Sequence, residues 1–289
     1  MLKRILVLPA ALFLSQALLA QPAPKVFPDS CDNRVPFPFK SIEHQHPIDT
    51  TGCPFLSGDP KSGKASHVQN QVKNNFCADA TKPELTTPND LILLQDKAFA
   101  DSVIKAHTGQ GKEPTDRSRL TKLGEGKVIR MKAFLVEAHF ADIPPEKGES
   151  VNCKDLTKEG NDIHMALVAT RGMKECESVS AEILPHYRPL TWAEIGNFKD
   201  DQATATRLQA QTYRITGQRF YDASHTPCGC DTVNCHPLRK SDWEIHPVYN
   251  IEVCRPGAAC DESKDGDWID FDTWWKSPPA KPSPPAPRR

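Results

Sequence analysis

From about residue 126 the chain alternates apolar and polar positions with the two-residue period of half-buried strands. Five runs carry the pattern: 126–140 (GKVIRMKAFLVEAHF), 161–170 (NDIHMALVAT), 177–185 (ESVSAEILP), 211–222 (QTYRITGQRFYD) and 241–254 (SDWEIHPVYNIEVC). In the second run Ile163, Met165 and Leu167 alternate with Asp162 and His164. In the fifth, Trp243, Ile245 and later Tyr249, Ile251 and Val253 alternate with Glu244, His246 and Glu252. One face of each strand therefore fills a core and the other is polar. Between the third and fourth runs lies LTWAEIGNFKDDQATATRLQA, where Thr191 and Glu194 have the spacing of a capping box that opens a helix. The order β-β-β-α-β-β is that of a five-stranded OB-type Greek-key barrel. The expected fold is thus mainly β, an OB-like barrel over 121–256 joined to a helical N-terminal segment.

Upstream the pattern is different. Residues 21–60 are Pro-rich and irregular, which suits an extended wrapping segment. Residues 64–77 read as a polar helix with a thin apolar stripe. Residues 87–106 read as a stronger helix, with Thr87 as N-cap, Pro88 in the first turn, Asp90 closing a capping box, and Leu91, Leu94 and Ala98 on one packing face. The N-terminal segment so defined spans 21–120. After Cys260 comes an acidic tail, 257–289, whose Trp268, Trp274 and Trp275 are expected to dock on the body; its end, SPPAKPSPPAPRR, is too Pro-rich to pack.

Residues 1–20 change the picture of compartment. Lys3 and Arg4, an apolar run from Ile5 to Leu14 and small residues at Ser15, Ala17 and Ala20 have the layout of a secretory signal peptide and are too short for a membrane span. No later segment reads as a span. The expected location is secreted or periplasmic. Ten cysteines, an even number, then read as disulfides, and CGCDTVNCH (228–236) reads as a stapled loop rather than a zinc site. Cys31, Cys53 and Cys77 are three in the N-terminal part, so complete pairing requires a bridge between that part and the rest. The formal charge of −1 becomes −3 without Lys3 and Arg4, which gives no bulk basic charge for non-specific nucleic-acid binding. A mean hydropathy of −0.53 with 26 prolines fits a loop-rich exported chain.

The chemistry concentrates on the polar strand positions. Asp162 with His164, and Glu244 with His246, are pairs two residues apart that share a strand face. Asp222 and His225 (YDASH) close the fourth run, and Glu182 lies in the third. In an OB barrel these positions gather near the usual ligand face across strands 2 and 3, flanked here by loops 141–160 and 223–240. His139, at the end of the first run, is a further candidate. His44, His46 and His236 read as bystanders, and Arg188 in PHYRP as a group able to meet a phosphate or carboxylate.

The segments NNFCA (74–78), GESVNC (148–153), NDIHMALVA (161–169), CESVSAEILPHYRP (176–189), RITGQRFYDASH (214–225) and SDWEIHPVYNIEVC (241–254) together resemble a family of secreted bacterial proteins of unknown function. The resemblance runs from about 50 to 255 and implies a common fold and the same polar cluster. It brings no activity.

Three readings of the cluster compete. Asp162, His164, Asp222, His225, Glu244 and His246 could hold a divalent metal, zinc or manganese, that activates water. His164, His225, His246 and Glu182, with Arg188 on an anionic substrate, could instead act as metal-free acids and bases. The pairs could also be hydrogen-bonded networks that only fix loops. A hydrolase of the phosphodiester type is the expected function. The alternative is a non-enzymatic OB binding module for nucleic acid, oligosaccharide or an envelope protein. A catalytic site requires the acids and histidines within mutual reach in a cleft, whereas a binding face requires exposed aromatics along a groove.

Overall fold

The structure, a computed structural model, describes residues 42–43, 62–76, 78–141, 148–152, 154–185, 188–195, 201–231 and 236–277. Residues 1–20, read above as a signal peptide, and His44, His46, Cys31, Cys53, Cys77 and the Pro-rich end lie outside these. The strands are β1 (Ile42–Glu43), β2 (Glu84–Thr86), β3 (Val128–Phe140), β4 (Ile163–Val168), β5 (Val179–Ile183), β6 (Arg188–Pro189), β7 (Tyr213–Tyr221), β8 (Trp243–Cys254) and β9 (Trp268–Asp270). The helices are α1 (Ser62–Lys73), α2 (Pro88–Ala100), α3 (Ser102–Ala106), α4 (Ser118–Lys122), α5 (Leu190–Ile195), α6 (Gln202–Gln209) and α7 (Phe271–Lys276).

All five alternating runs form strands, and they close in the order β3-β4-β5-β8-β7 and back to β3. Only the β5–β8 pairing within this ring is parallel, with Ala181 opposite Ile245. This is the connectivity of the OB barrel. The 13-residue β3 serves two neighbours within the ring, with Val128–Ala133 paired to β7 and Phe134–Phe140 to β4 across a register shift at Leu135/Glu137, and β2 pairs with it in parallel outside the ring. Such a bulge bends the strand and so lets a small sheet close on itself. The alternation sets the interior. Met131, Ile163, Met165, Ala181, Ile215 and Ile245 are fully or almost fully buried in one cluster.

The N-terminal helices extend that core. Thr87 and Asp90 form the expected capping box, and Leu91 and Ala98 are buried against the barrel. The expected single helix over 87–106 is broken, however. Asp101 is extended (φ −83°, ψ 108°) and its carboxylate caps Val103 and Ile104, so α3 starts anew. A side chain that competes for backbone N–H groups ends one helix and opens another. The helix expected over 190–210 also departs from the reading. Its first segment begins at Leu190, ahead of the anticipated cap Thr191, while its second is capped by Asp201, which accepts from Ala203 and Thr204.

The tail docks as expected. β9 pairs with the end of β8, Cys254 is bonded to Cys260, Trp268 is buried, and Trp192 stacks on Phe271 at 4.6 Å. Arg207 lies over both Trp274 and Trp275. A second described bridge joins Cys176 to Cys230, and Cys228 is disulfide-bonded too, so the 228–236 loop is stapled. Among the described residues no helix is long and apolar enough to cross a membrane.

Gly217 lies between two register shifts where β7 crosses β8, and a Cβ there would run into Ile245 Cγ2 and the Pro247 carbonyl. Gly217→Ala is expected to destabilise the protein by about 1–3 kcal/mol. Gly266→Ala, where an added Cβ meets nothing within 4 Å, is expected to change stability by under ~0.5 kcal/mol. The difference in urea midpoint between the two variants checks the barrel register.

Candidate functional site

The outward strand positions form a continuous polar row. His139 pairs with His164 across β3–β4, and His164 pairs with Glu182 across β4–β5. Because Ala181 is level with Ile245 and both point inward, Glu182 neighbours Glu244 and His246 on the outer face of β8. Most of this row is not open to water. Helix α1 lies over it with an unusually polar underside: Gln69, Asn70 and Lys73 are all buried. The C-terminal carbonyls of α1, which have no partner within the helix, are met by the barrel. Gln218 Nε2 donates to Val72 O (2.8 Å) and His246 Nδ1 to Lys73 O (3.0 Å), and just past the helix the Tyr249 hydroxyl donates to Asn75 O.

With Nδ1 of His246 committed to that carbonyl, Nε2 is turned toward two carboxylates. It lies 2.9 Å from Glu182 Oε2 and 3.5 Å from Asp162 Oδ2. The contacts are close but not directed as hydrogen bonds: Nε2 of His246 and Oδ2 of Asp162 are buried with no aligned partner. One ligand atom from each of Asp162, Glu182 and His246 lies within 4.8 Å of the others. The other Asp162 oxygen accepts from Asn152 Nδ2 at 2.8 Å, which fixes the carboxylate. Lys73 Nζ is 3.3 Å from Glu182 and 3.9 Å from Glu244.

Beside this centre Arg239, itself buried, gathers three acids: Glu244 at 2.6 Å, Asp222 at 3.1 Å and Asp242 at 3.5 Å. Asp222 also accepts from Gln69 of α1 (3.0 Å) and from Nδ1 of His225 (2.5 Å). Gln69 in turn accepts from Arg117, whose guanidinium clamps Glu125. The imidazole of His225 is exposed and lines the cleft described below.

The electrostatics follow from burying five carboxylates, Asp162, Glu182, Asp222, Asp242 and Glu244, with two permanent cations, Lys73 and Arg239. Burial opposes ionisation of Glu182, but Lys73, His164 and His246 hold it well below the usual carboxylate range. Burial likewise opposes the charge on Asp222, which Lys73, His225 and Arg239 hold low. Asp242 is pushed up to about 7 by burial, against the pull of Arg239. Glu244 is pushed up to about 7 by burial and by Glu182. Burial also disfavours the imidazolium of His164, yet Glu182, Glu149 and Asp162 outweigh it and raise His164 to about 10. For His246, burial and Lys73 oppose the charge, and Glu182 with Asp162 still raise it to about 9. The histidines thus supply positive charge that the site otherwise lacks.

The site opens into a cleft of about 1310 Å³ between α1, loop 148–152 and the 236–239 turn. Lys73, His164, Glu182, His225 and Arg239 reach its walls, while Asp162, Glu244 and His246 lie behind them. At the rim Glu149 Oε1 is 3.2 Å from His164 Nε2, and its other oxygen accepts from the Asp162 backbone N–H at 2.6 Å. Asp162, His164, Glu182, Glu244 and His246 therefore converge, and Asp222 with His225 joins them through Arg239. Arg188 does not come to the cleft. It is buried, lies over Phe140 at 5.0 Å, and donates to the carbonyls of Glu159 (2.9 Å) and Asn161. There it holds the chain that leads into Asp162. His139 and His236 both line the cleft.

Sequence reasoning missed Lys73, Glu149, Asn152 and Arg239. Each lies in a helix or loop without strand periodicity. The available signal was the polarity of 64–77, since a helix with so thin an apolar stripe must pack through polar contacts or not pack.

Arg239→Met strands buried carboxylates and is expected to cost about 3–5 kcal/mol of stability, measured by denaturant unfolding. In metal-free protein, His246 and His164 carry pKa values raised to about 9 and about 10. Their stabilisation is complete below the unfolded value near 6.5 and is lost as pH rises through 9 to 10. Asp242 and Glu244, raised to about 7, act at lower pH: they lower stability between the unfolded carboxylate value of about 4 and about 7 and add no slope above it. Stability is therefore expected to fall between pH 6.5 and 10, and His246→Gln to flatten that slope.

Comparison of the chain with protein-family models, with curated proteins and with solved structures finds no match in any of the three. What the site does must be argued from its own geometry: a barrel whose outer face gathers histidines and carboxylates able to hold a metal ion.

Proposed function

We propose that the chain is an exported, metal-assisted hydrolase acting on phosphodiesters, with a divalent ion held by Asp162, Glu182 and His246. The observation that carries this reading is the convergence of those three ligand groups within 4.8 Å, buried, with His246 Nε2 and Asp162 Oδ2 lacking aligned partners. Mixed imidazole and carboxylate donors suit zinc or manganese. Buried carboxylates in excess of Lys73 and Arg239 also favour an added cation.

The surrounding groups fit hydrolysis. Glu182 belongs both to the ligand set and to the cleft wall, so the ion is reachable from solvent. Lys73 stands 3.3 Å from Glu182 and can meet negative charge developing on a phosphoryl oxygen. His225, oriented by Asp222 at 2.5 Å, can take a proton from water and return it to the leaving oxygen. The overall step forms a P–O bond from water and breaks the ester P–O bond, and the proton released from water ends on the leaving alcohol. No oxidant is needed.

The binding-module alternative is less well supported. Among the described residues lining the cleft there is no Phe, Tyr or Trp, the residues on which bases or sugar rings stack at OB faces. Export is supported by the leader-like residues 1–20 and by the bonded cysteines.

Titration of the oxidised, leader-free protein with Zn²⁺ and Mn²⁺ by calorimetry, beside hydrolysis of bis(4-nitrophenyl) phosphate, tests the proposal. The expected result is binding and metal-dependent turnover. His246→Ala and Asp162→Asn should each weaken both by at least the ~10–100-fold lost when even an outer-shell partner is removed. Absence of binding by either ion overturns the metal reading, and binding without turnover of any phosphodiester overturns the hydrolase reading.

A further inference from the structure

We infer that the cleft holds two divalent ions rather than one, the second taken by Glu149, Asp162 and His164, with Asp162 and Glu182 lying between the two positions. The inference rests on the metal reading above and extends it to a binuclear centre.

Asp162 is common to both positions. Its carboxylate belongs to two separate groups whose ligand atoms lie within 4.8 Å of one another: Asp162, Glu182 and His246, fully buried, and Glu149, Asp162 and His164, toward the rim. Asp162 is itself completely buried, with Oδ2 lacking a hydrogen-bond partner. Glu182 has the same intermediate position. Its Oε2 is 2.9 Å from His246 Nε2, while its Oε1 is 3.8 Å from His164 Nε2. One carboxylate thus offers one oxygen to each imidazole. The strand register produces this arrangement, because His164 and Glu182 are direct cross-strand partners and His246 is the next outward position on β8.

The rim group has donors to spare. Glu149 uses Oε2 on the Asp162 and Asn152 N–H groups and keeps Oε1 for the cleft, 3.2 Å from His164 Nε2. These bonds fix the carboxylate as a ligand would require. The two positions differ in access: His164 and Glu149 are partly exposed, whereas Asp162 and His246 are not. An inner ion would be reached only past Glu182 on the cleft wall, and an outer ion would retain more open positions for substrate. Paired ions about 3.5–4 Å apart are the usual arrangement for in-line displacement at phosphorus, since they can stabilise the attacking and leaving oxygens together. The chemistry recognised is therefore a phosphodiester with one non-bridging oxygen between the ions.

The test is the number of ions and their magnetic coupling in the intact, oxidised protein loaded with Mn²⁺ alone. Elemental analysis is expected to give two manganese per chain, and electron paramagnetic resonance an exchange-coupled spectrum in place of the six lines of isolated Mn²⁺. Glu149→Gln and His164→Ala, both at partly exposed positions, should each reduce the content to one ion and restore the isolated signal. One ion per wild-type chain, or two ions without coupling, overturns the binuclear inference while the single-metal reading stands. No bound manganese and no bound zinc overturns both.

Discussion

Five carboxylates buried around Lys73 and Arg239 are the constraint on which the rest of this structure depends. Uncompensated, such a layer would cost several kcal/mol per charge. Lys73 comes down from α1, Arg239 comes in from the stapled loop, and two imidazoles take up protons at pKa values of about 9 and about 10. This explains features that a hydrophobic account leaves unexplained. Helix α1 buries Gln69, Asn70 and Lys73, and the carbonyls of Val72 and Lys73 at its end accept from Gln218 and His246 of the barrel. The barrel and the helix are joined by polar bonds because the charges beneath require them.

Inside and outside the barrel the division of labour is plain. The inward positions of β3, β4, β5, β7 and β8 supply an ordinary apolar core, which α2 extends with Leu91 and Ala98. The outward positions of β4, β5 and β8 carry the chemistry. Phe220, the outward residue of β7 level with Glu244, is the apolar exception: Lys73 and Arg117 lie over its ring at 5.5 and 5.1 Å. It holds the two cations where the acids need them, through cation–π contact rather than a further carboxylate.

The period-2 alternation made the five strands and their order legible from the chain, as it did the sharing of a face by Asp162 with His164 and by Glu244 with His246. The capping box at Thr87 was equally readable because its geometry is local. The parts that were not legible depend on contacts distant in sequence. Lys73 meets Glu182 over 109 residues, and Gln69 meets Asp222 over 153. No local pattern encodes such pairs. Arg188 had the residue type and position of a substrate anchor, yet its guanidinium donates to Glu159 and Asn161 and holds the start of β4. Asp101 broke an apparently continuous helix because a single capping carboxylate outweighs a weak propensity for continuation. Type and spacing indicated where polar groups gather, and three-dimensional compensation decided which of them face the cleft.

The central claim is that Asp162, Glu182 and His246 mark where a metal ion binds, in place of the protons that compensate the acids in its absence. The most direct measurement is anomalous diffraction from a crystal of the oxidised protein soaked in Zn²⁺. The account predicts an anomalous peak at bonding distance, about 2.0–2.2 Å, from His246 Nε2 and from oxygens of Asp162 and Glu182. Peaks confined to surface histidines, with the buried group unchanged, would contradict it and leave the cluster as a network that only holds the helix to the barrel.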